Sequence, residues 1–238
     1  ITAPGRLKTR EERGLAQRVV IVDYGSGNLR SAAKSFERAA REQSIAIELL
    51  VTSSARDVAA ADRVVLPGVG AFAACYQGLC AQPDLVEALE EVVLRRARPF
   101  LGICVGMQLM ATTSEEQGSH RGLGWIAGKV VAIEASSEEQ PNELPGGRRV
   151  PHMGWNDLEI RRPDNPLLTG LNDGDSFYFV HGYALQPSDP AAILATTSYG
   201  RHITAVICRD NMAGTQFHPE KSQTVGLRMI TNFLEWRP

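Results

Sequence analysis

The chain reads as an α/β protein with a mixed, mostly parallel central sheet, helices on both faces and an antiparallel extension. Two observations predict it. In the first half, short apolar runs alternate with stretches of helical periodicity, as a parallel sheet joined by crossover helices requires. In the second half, strand-like segments follow one another with little more than turns between them, the pattern of antiparallel pairing.

Each element has its own signal. VVIVD (19–23) is a short apolar run closed by the turn YGSGN, and Leu29, Ala32, Ala33, Phe36, Ala39 and Ala40 then recur at helical spacing. IAIELLV (45–51) is a second strand, residues 55–61 a short helix, and RVVLPG (63–68) a third strand stopped by Pro67 and Gly68. DLVEALEEVVLRRA (84–97) is an amphipathic helix with its acids early and its arginines late, as the helix dipole favours. FLGIC (100–104) is the fourth strand, with a helix expected over 105–114. GKVVAIEA, RVPHMGWNDLEI, DSFYFVHGYAL, AAILATTSYG, ITAVICRD and MAGTQFHP read as strands, residues 136–147 as a polar surface loop, and 222–236 as a closing helix.

Bulk properties narrow the function. A net charge of −2 gives no electrostatic reason to expect nucleic acid or an anionic membrane as partner. No apolar run approaches the roughly 18 residues of a membrane span. Residues 1–18 are polar and of mixed charge, lacking the apolar stretch of a signal peptide, and are expected to be a disordered extension preceding a single domain over 19–238. A cytoplasmic location and reduced cysteines are expected, with Cys75, Cys80 and Cys208 as core residues. No metal site and no cofactor are expected.

Cys104 stands apart. Gly102-Ile103-Cys104-Val105-Gly106, between a strand and a helix, is a G-x-C-x-G form of the nucleophile elbow. Its glycines permit a sharp turn that lifts the central side chain clear of the sheet. The helix N-terminus behind Cys104 favours negative charge on the sulfur, and Val105 N–H would face an oxyanion. Such a nucleophile needs a proton carrier. His218, in Gln216-Phe217-His218-Pro219-Glu220, closes an apolar strand, and Glu220 two residues on falls to the same side of an extended chain, where it would fix the imidazole. By itself H-P-E fits an exposed turn; beside the elbow it completes a triad. Pro67-Gly68-Val69-Gly70, directly after a strand, lets a backbone N–H turn toward a ligand and would supply a second oxyanion donor at Val69. The GxG of Asp23–Asn28 lacks the third glycine of a dinucleotide fingerprint, with Arg30 in its place.

In this order, PGVGAF, GICVGMQLM and FHPEKS resemble the triad class of glutamine amidotransferases, from about Val19 to the C-terminus. DYGSGNLRS, PHMGWN and FVHGY resemble the branch of that family that serves histidine biosynthesis. The resemblance implies that fold, with Cys104 as nucleophile, His218 as acid/base, Glu220 as its orienting partner, and Val69 and Val105 as oxyanion donors. It implies that Gln108 and Glu116 hold the substrate L-glutamine, with Gly70, Gly182 and Tyr183 beside it. Lys221, Tyr178 and the PHMGWN segment (151–156), Trp155 included, match positions facing the ammonia passage and a partner, a (β/α)8-barrel cyclase that receives the ammonia. Gly182 departs from the family's usual Ser or Thr, and Thr112-Thr113 from a more acidic stretch. Two rival readings share the triad: an amidotransferase of another pathway, which would not be expected to carry PHMGWN, and a stand-alone cysteine hydrolase that works without a partner. A regulatory module would have no need of all three triad residues.

Overall fold

The computed structural model describes residues 15–133, 143–144 and 148–238. The strands, in chain order, are β1 Gln17–Val22, β2 Ile47–Thr52, β3 Arg63–Gly68, β4 Phe100–Cys104, β5 Ala111–Ser114, β6 His120–Arg121, β7 Ile126–Ala132, β8 Glu143–Leu144, β9 Arg148–Arg149, β10 His152–Ile160, β11 Ser176–His181, β12 Tyr183–Pro187, β13 Ile193–Ser198, β14 His202–Arg209 and β15 Met212–Thr215. The α-helices are α1 Leu29–Glu42, α2 Ala55–Ala59, α3 Phe72–Cys80, α4 Leu85–Glu90, α5 Val105–Gln108 and α6 Gln223–Glu235.

Nine strands form the main sheet in the order β11-β10-β13-β14-β15-β4-β3-β1-β2. From β15 to β2 every pairing is parallel, and from β15 to β11 every pairing is antiparallel. The parallel strands β3 and β4 are buried along their whole length, which is why their sequences run apolar without alternation. The step from β1 to β2 runs opposite to the steps from β2 to β3 and from β3 to β4. Right-handed crossovers therefore place α1 on one face and α2 to α4 on the other. Packing of α1 on α6 and of α2 on α4 fits these two layers.

The structure revises several expectations. β1 begins at Gln17, whose buried side chain accepts a bond from the Arg63 guanidinium at 2.5 Å, so the fold takes in two residues assigned to the extension. Residues 1–14 of that extension lie outside the described residues, as does most of the predicted loop 136–147. The helix expected over 105–114 stops at Gln108. Ala111–Ser114 instead pairs with β6 and β7, as its β-branched Thr112 and Thr113 favour. DSFYFVHGYAL is two strands: β11 in the main sheet and β12 in a separate four-stranded sheet of order β12-β7-β5-β6, divided at Gly182. The amphipathic stretch after Asp84 is α-helical to Glu90 and then widens into a π-helical turn over Glu91–Arg95. Phe72, Cys75 and Leu79 repeat on the buried side of helix α3. Cys80 is exposed and Cys208 half-buried, so of the three cysteines assigned to the core only Cys75 belongs there. No described helix is long and apolar enough to cross a membrane.

Candidate active site

Strand β4 runs straight into α5 at Cys104, which has φ 54° and ψ −111°, a backbone region that side-chain-bearing residues avoid. The flanking glycines make this turn possible. A Cβ on Gly102 would sit 2.6 Å from the Gly106 carbonyl oxygen, and one on Gly106 would collide with the Leu66 carbonyl of β3. The Cys104 side chain is buried, with Sγ 3.9 Å from the Val180 carbonyl and 3.7 Å from Gln216 Nε2. Val105 is the first residue of α5, so its N–H has no partner within the helix, and it lines the cavity beside the sulfur.

His218 reaches the same cavity from the end of the segment that follows β15. Its N–H donates to the Tyr178 carbonyl at 3.0 Å, and its own carbonyl accepts from Ser222 Oγ at 2.7 Å. Glu220 was expected beside His218 along an extended chain. The two do meet, but through a 3-10 turn over Pro219–Lys221 that folds the carboxylate back. Proline at the first position of that turn has the required φ and lacks an N–H that would go unpaired. Glu220 Oε1 lies 2.8 Å from His218 Nδ1, both side chains being almost wholly buried. His218 Nε2, left without a fixed hydrogen-bond partner, is the nitrogen available to the sulfur. Burial alone would lower the His218 pKa; interaction with Cys104 and with Glu220 outweighs it and raises the value to about 9. Both interactions therefore favour the protonated imidazole.

The Val69 peptide is tied to the loop after β1. Its N–H donates to Ser26 Oγ at 3.2 Å, and the same hydroxyl donates to the Val69 carbonyl at 2.8 Å. The Cys75 thiol adds a 3.3 Å contact to that carbonyl. One hydroxyl thus holds both polar groups of Val69, and in this conformation the N–H is not offered to Cys104. The loop after β1 supports the arrangement, because Tyr24 also donates its hydroxyl to the Pro67 carbonyl at 2.8 Å. Burial raises the Cys75 and Tyr24 pKa values, keeping both groups neutral donors.

A cavity of about 160 Å³ opens over the sulfur. Gly70, Gln108, Glu116, Gly182 and Tyr183, all expected near glutamine, line it together with Val69, Val105, Val180, His181 and His218. Gln108 spends both amide hydrogens on the protein, donating to the Tyr183 carbonyl at 2.9 Å and to Gln216 Oε1 at 3.1 Å. Its carbonyl oxygen is thereby left for a ligand. Glu116 accepts from Phe72 N–H at the start of α3 at 2.8 Å, so its carboxylate also caps that helix. Trp155, Tyr178 and Lys221 gather elsewhere on the surface. Trp155 meets Tyr178 edge-on at 6.0 Å, Lys221 Nζ lies 5.6 Å from the Tyr178 ring, and Met153 and Trp155 are half or more exposed. Val180, which lines the cavity, pairs with the exposed Met153 across β10 and β11, so the cavity wall and this surface share neighbouring strands. Among the described residues no group of three or more His, Cys, Asp or Glu side chains is placed to hold a metal ion.

An elbow thiol beside a buried, carboxylate-bound imidazolium can carry out acyl transfer, and comparison with known proteins says in which family. The model of the glutamine amidotransferase class-I family matches residues 20–236. The chain belongs to that family. This amidotransferase is 56% identical over 221 residues to imidazole glycerol phosphate synthase subunit HisH of Rhodospirillum rubrum, covering 93% of this chain and all of that protein. It is 54% identical to the subunit of the same name from Cereibacter sphaeroides, over 92% of this chain and 99% of that one. The fold is shared with a solved structure described as a glutamine amidotransferase (TM-score 0.63, 18% identity, 91% of this chain and 97% of that one). It is shared also with the glutaminase domain of Trypanosoma brucei CTPS with bound acivicin (TM-score 0.62, 16% identity, 94% and 96%).

Sequence reasoning passed over Ser26, His181 and the side chain of Gln216 at the amidotransferase site, and it had His152 only within the segment expected to face the partner and the ammonia passage. Gln216 alone had a local signal, because it stands two residues before His218 and so on the same side of an extended segment.

Proposed function

We propose that the chain is the glutaminase subunit of an imidazole glycerol phosphate synthase, hydrolysing L-glutamine and passing the ammonia to a cyclase subunit in histidine biosynthesis. The observation that carries the chemistry is the Cys104–His218–Glu220 arrangement at the elbow. More than 50% identity along the full length of proteins of that name supports the pathway.

In this reading the Cys104 thiolate attacks the carboxamide carbon of glutamine. The oxyanion of the tetrahedral intermediate takes the Val105 N–H, joined by the Val69 N–H once that peptide turns. His218 Nε2 gives its proton to the departing nitrogen, the C–N bond breaks, and ammonia and a glutamyl thioester result. Acylation removes the negative charge on sulfur that helped hold His218 protonated. The imidazole, now neutral, takes a proton from water as that water attacks the thioester. Glutamate leaves and the thiolate–imidazolium pair is restored. Glu220 keeps the proton on Nδ1 and Nε2 directed at the sulfur throughout.

The partner is a (β/α)8-barrel cyclase docked on the surface of Met153, Trp155, Tyr178 and Lys221. A dry path between the subunits matters because ammonia released into neutral water becomes ammonium, which has no free electron pair for attack. The deciding experiment is glutamate release by the purified chain with and without the cyclase and its nucleotide substrate. Strong stimulation by both together is expected, and replacement of Cys104 by Ala abolishes it, by a factor of about 10⁴ or more. High activity indifferent to the cyclase would instead make the protein a free-standing hydrolase.

A further inference from the structure

His152 and His181 face each other across β10 and β11 as direct register partners. Both are buried, and neither belongs to the triad. His152 Nδ1 lies 2.9 Å from His181 Nε2, His181 Nδ1 lies 2.9 Å from the Tyr183 carbonyl, and Asn156 Nδ2 lies 3.1 Å from His152 Nε2. The Tyr183 carbonyl can only accept, so His181 carries its proton on Nδ1 and accepts at Nε2. His152 must then hold its proton on Nδ1. The other end demands the same. Asn156 Oδ1 accepts from Asp157 N–H at 2.9 Å and its Nδ2 donates to the Ser198 carbonyl at 3.0 Å, so the amide presents a donor to His152 Nε2. Burial, followed by the neighbouring His152, lowers the His181 pKa to about 3, which keeps that ring neutral.

The series ends at the carbonyl that orients the cavity wall. Tyr183 O receives His181 Nδ1–H and Gln108 Nε2–H; Gln108 donates its other hydrogen to Gln216, and Gln216 turns its own amide N–H to the Cys104 sulfur. Gly182, just before Tyr183, is where the chain leaves one sheet for the other. The Gly182 carbonyl accepts from Ile133 N–H at 2.9 Å and Tyr183 pairs with Ala132 of β7, while side-chain donors converge on the Tyr183 carbonyl. We propose that His152 and Asn156 are positioning residues of the glutamine site, which fix His181 in the one tautomer that anchors the Tyr183 carbonyl and, through it, the amides of Gln108 and Gln216. The inference rests on the glutaminase reading above.

The test is steady-state glutamine hydrolysis by the complex with the cyclase and its nucleotide, together with the rate of Cys104 alkylation by iodoacetamide. His152→Leu keeps an apolar body between Phe179 and Tyr199, against which His152 stacks at 4.7 and 4.0 Å, but has no donor. It should raise KM about tenfold or more, with kcat and the alkylation rate changed by less than about threefold, as loss of one buried anchor implies. His152→Asn places an amide N–H near the position of Nδ1 and should recover most of the loss, whereas His152→Gln should not. An unchanged KM in a folded His152→Leu variant overturns the proposal. So do equal KM values in the Leu and Asn variants, which would mark a packing role alone. If the Leu variant fails to fold, Asn156→Ala decides, with KM raised several-fold expected and no change fatal. A wild-type complex that releases no glutamate would overturn the glutaminase reading itself, before any variant is compared.

Discussion

At the scale of single residues, the Cys104–His218 pair gives the site its pH dependence. The His218 pKa stands above the ordinary histidine value, at about 9. Its contribution to stability is therefore complete below about 6.5 and is lost as pH rises through about 9. The denaturant midpoint should fall across that interval in the wild type and stay flatter in His218→Gln. The first half-reaction needs the imidazolium as acid, so kcat/KM should decline over the same alkaline range. Glu220→Gln should lower kcat by about 10²- to 10⁴-fold with little change in KM, since it spoils the His218 tautomer while leaving the cavity intact. Ser26 is the converse case. Removing its hydroxyl frees the Val69 N–H and leaves the Val69 carbonyl to the Cys75 thiol. Ser26→Ala should raise glutamate release by the chain without its partner by about tenfold, a portion of what one oxyanion donor is worth. No increase would mean that Ser26 does not hold the peptide back.

Among the elements, β3, β4 and α5 work as a unit. Gly106 lies so close to the Leu66 carbonyl of β3 that even one methyl group cannot be accommodated without moving backbone. Gly106→Ala should cost about 3 kcal/mol or more in chemical denaturation, or prevent folding, while an alanine at the exposed Val51 of β2 should cost little. The elbow and its helix were legible in the sequence because their requirements are local: two glycines around a thiol, between an apolar run and a helix. The meeting of Glu220 with His218 was legible too, but as an extended segment and not as the 3-10 turn over Pro219–Lys221. Other features had no local signature. MQLMA continues a helical pattern, and only its partners β6 and β7 make a strand of Thr112 and Thr113. The direction of the Val69 N–H depends on a hydroxyl 43 residues away, and rotating a peptide plane leaves the sequence unchanged. His152 and His181 become neighbours through strand register, which neither segment specifies alone.

Over the whole molecule, the sheet sets Val180 of the cavity wall beside the exposed Met153 on the neighbouring strand, next to the proposed docking surface. Leu158 on β10 is buried while Met153 and Trp155 face outward, an apolar exposure that the free chain leaves uncovered. Trp155→Ala should leave stability of the isolated chain within about 0.5 kcal/mol of wild type. The same change should weaken cyclase binding by about 2 kcal/mol or more in titration calorimetry, as expected for an exposed aromatic anchor that becomes buried on association. A change in stability without a change in affinity would remove Trp155 from the docking surface.

The Ser26 hold on Val69 has a consequence for the cell as well as for the reaction. Glutamine is a shared nitrogen reserve, and a glutaminase with a complete oxyanion hole would drain it whenever it lacked a partner. If Val69 is the second donor, as proposed above, a copy of this chain made in excess of the cyclase would spare that reserve. Synthesis of the two subunits then need not be matched, because waste is prevented by the direction of one peptide bond instead of by gene dosage.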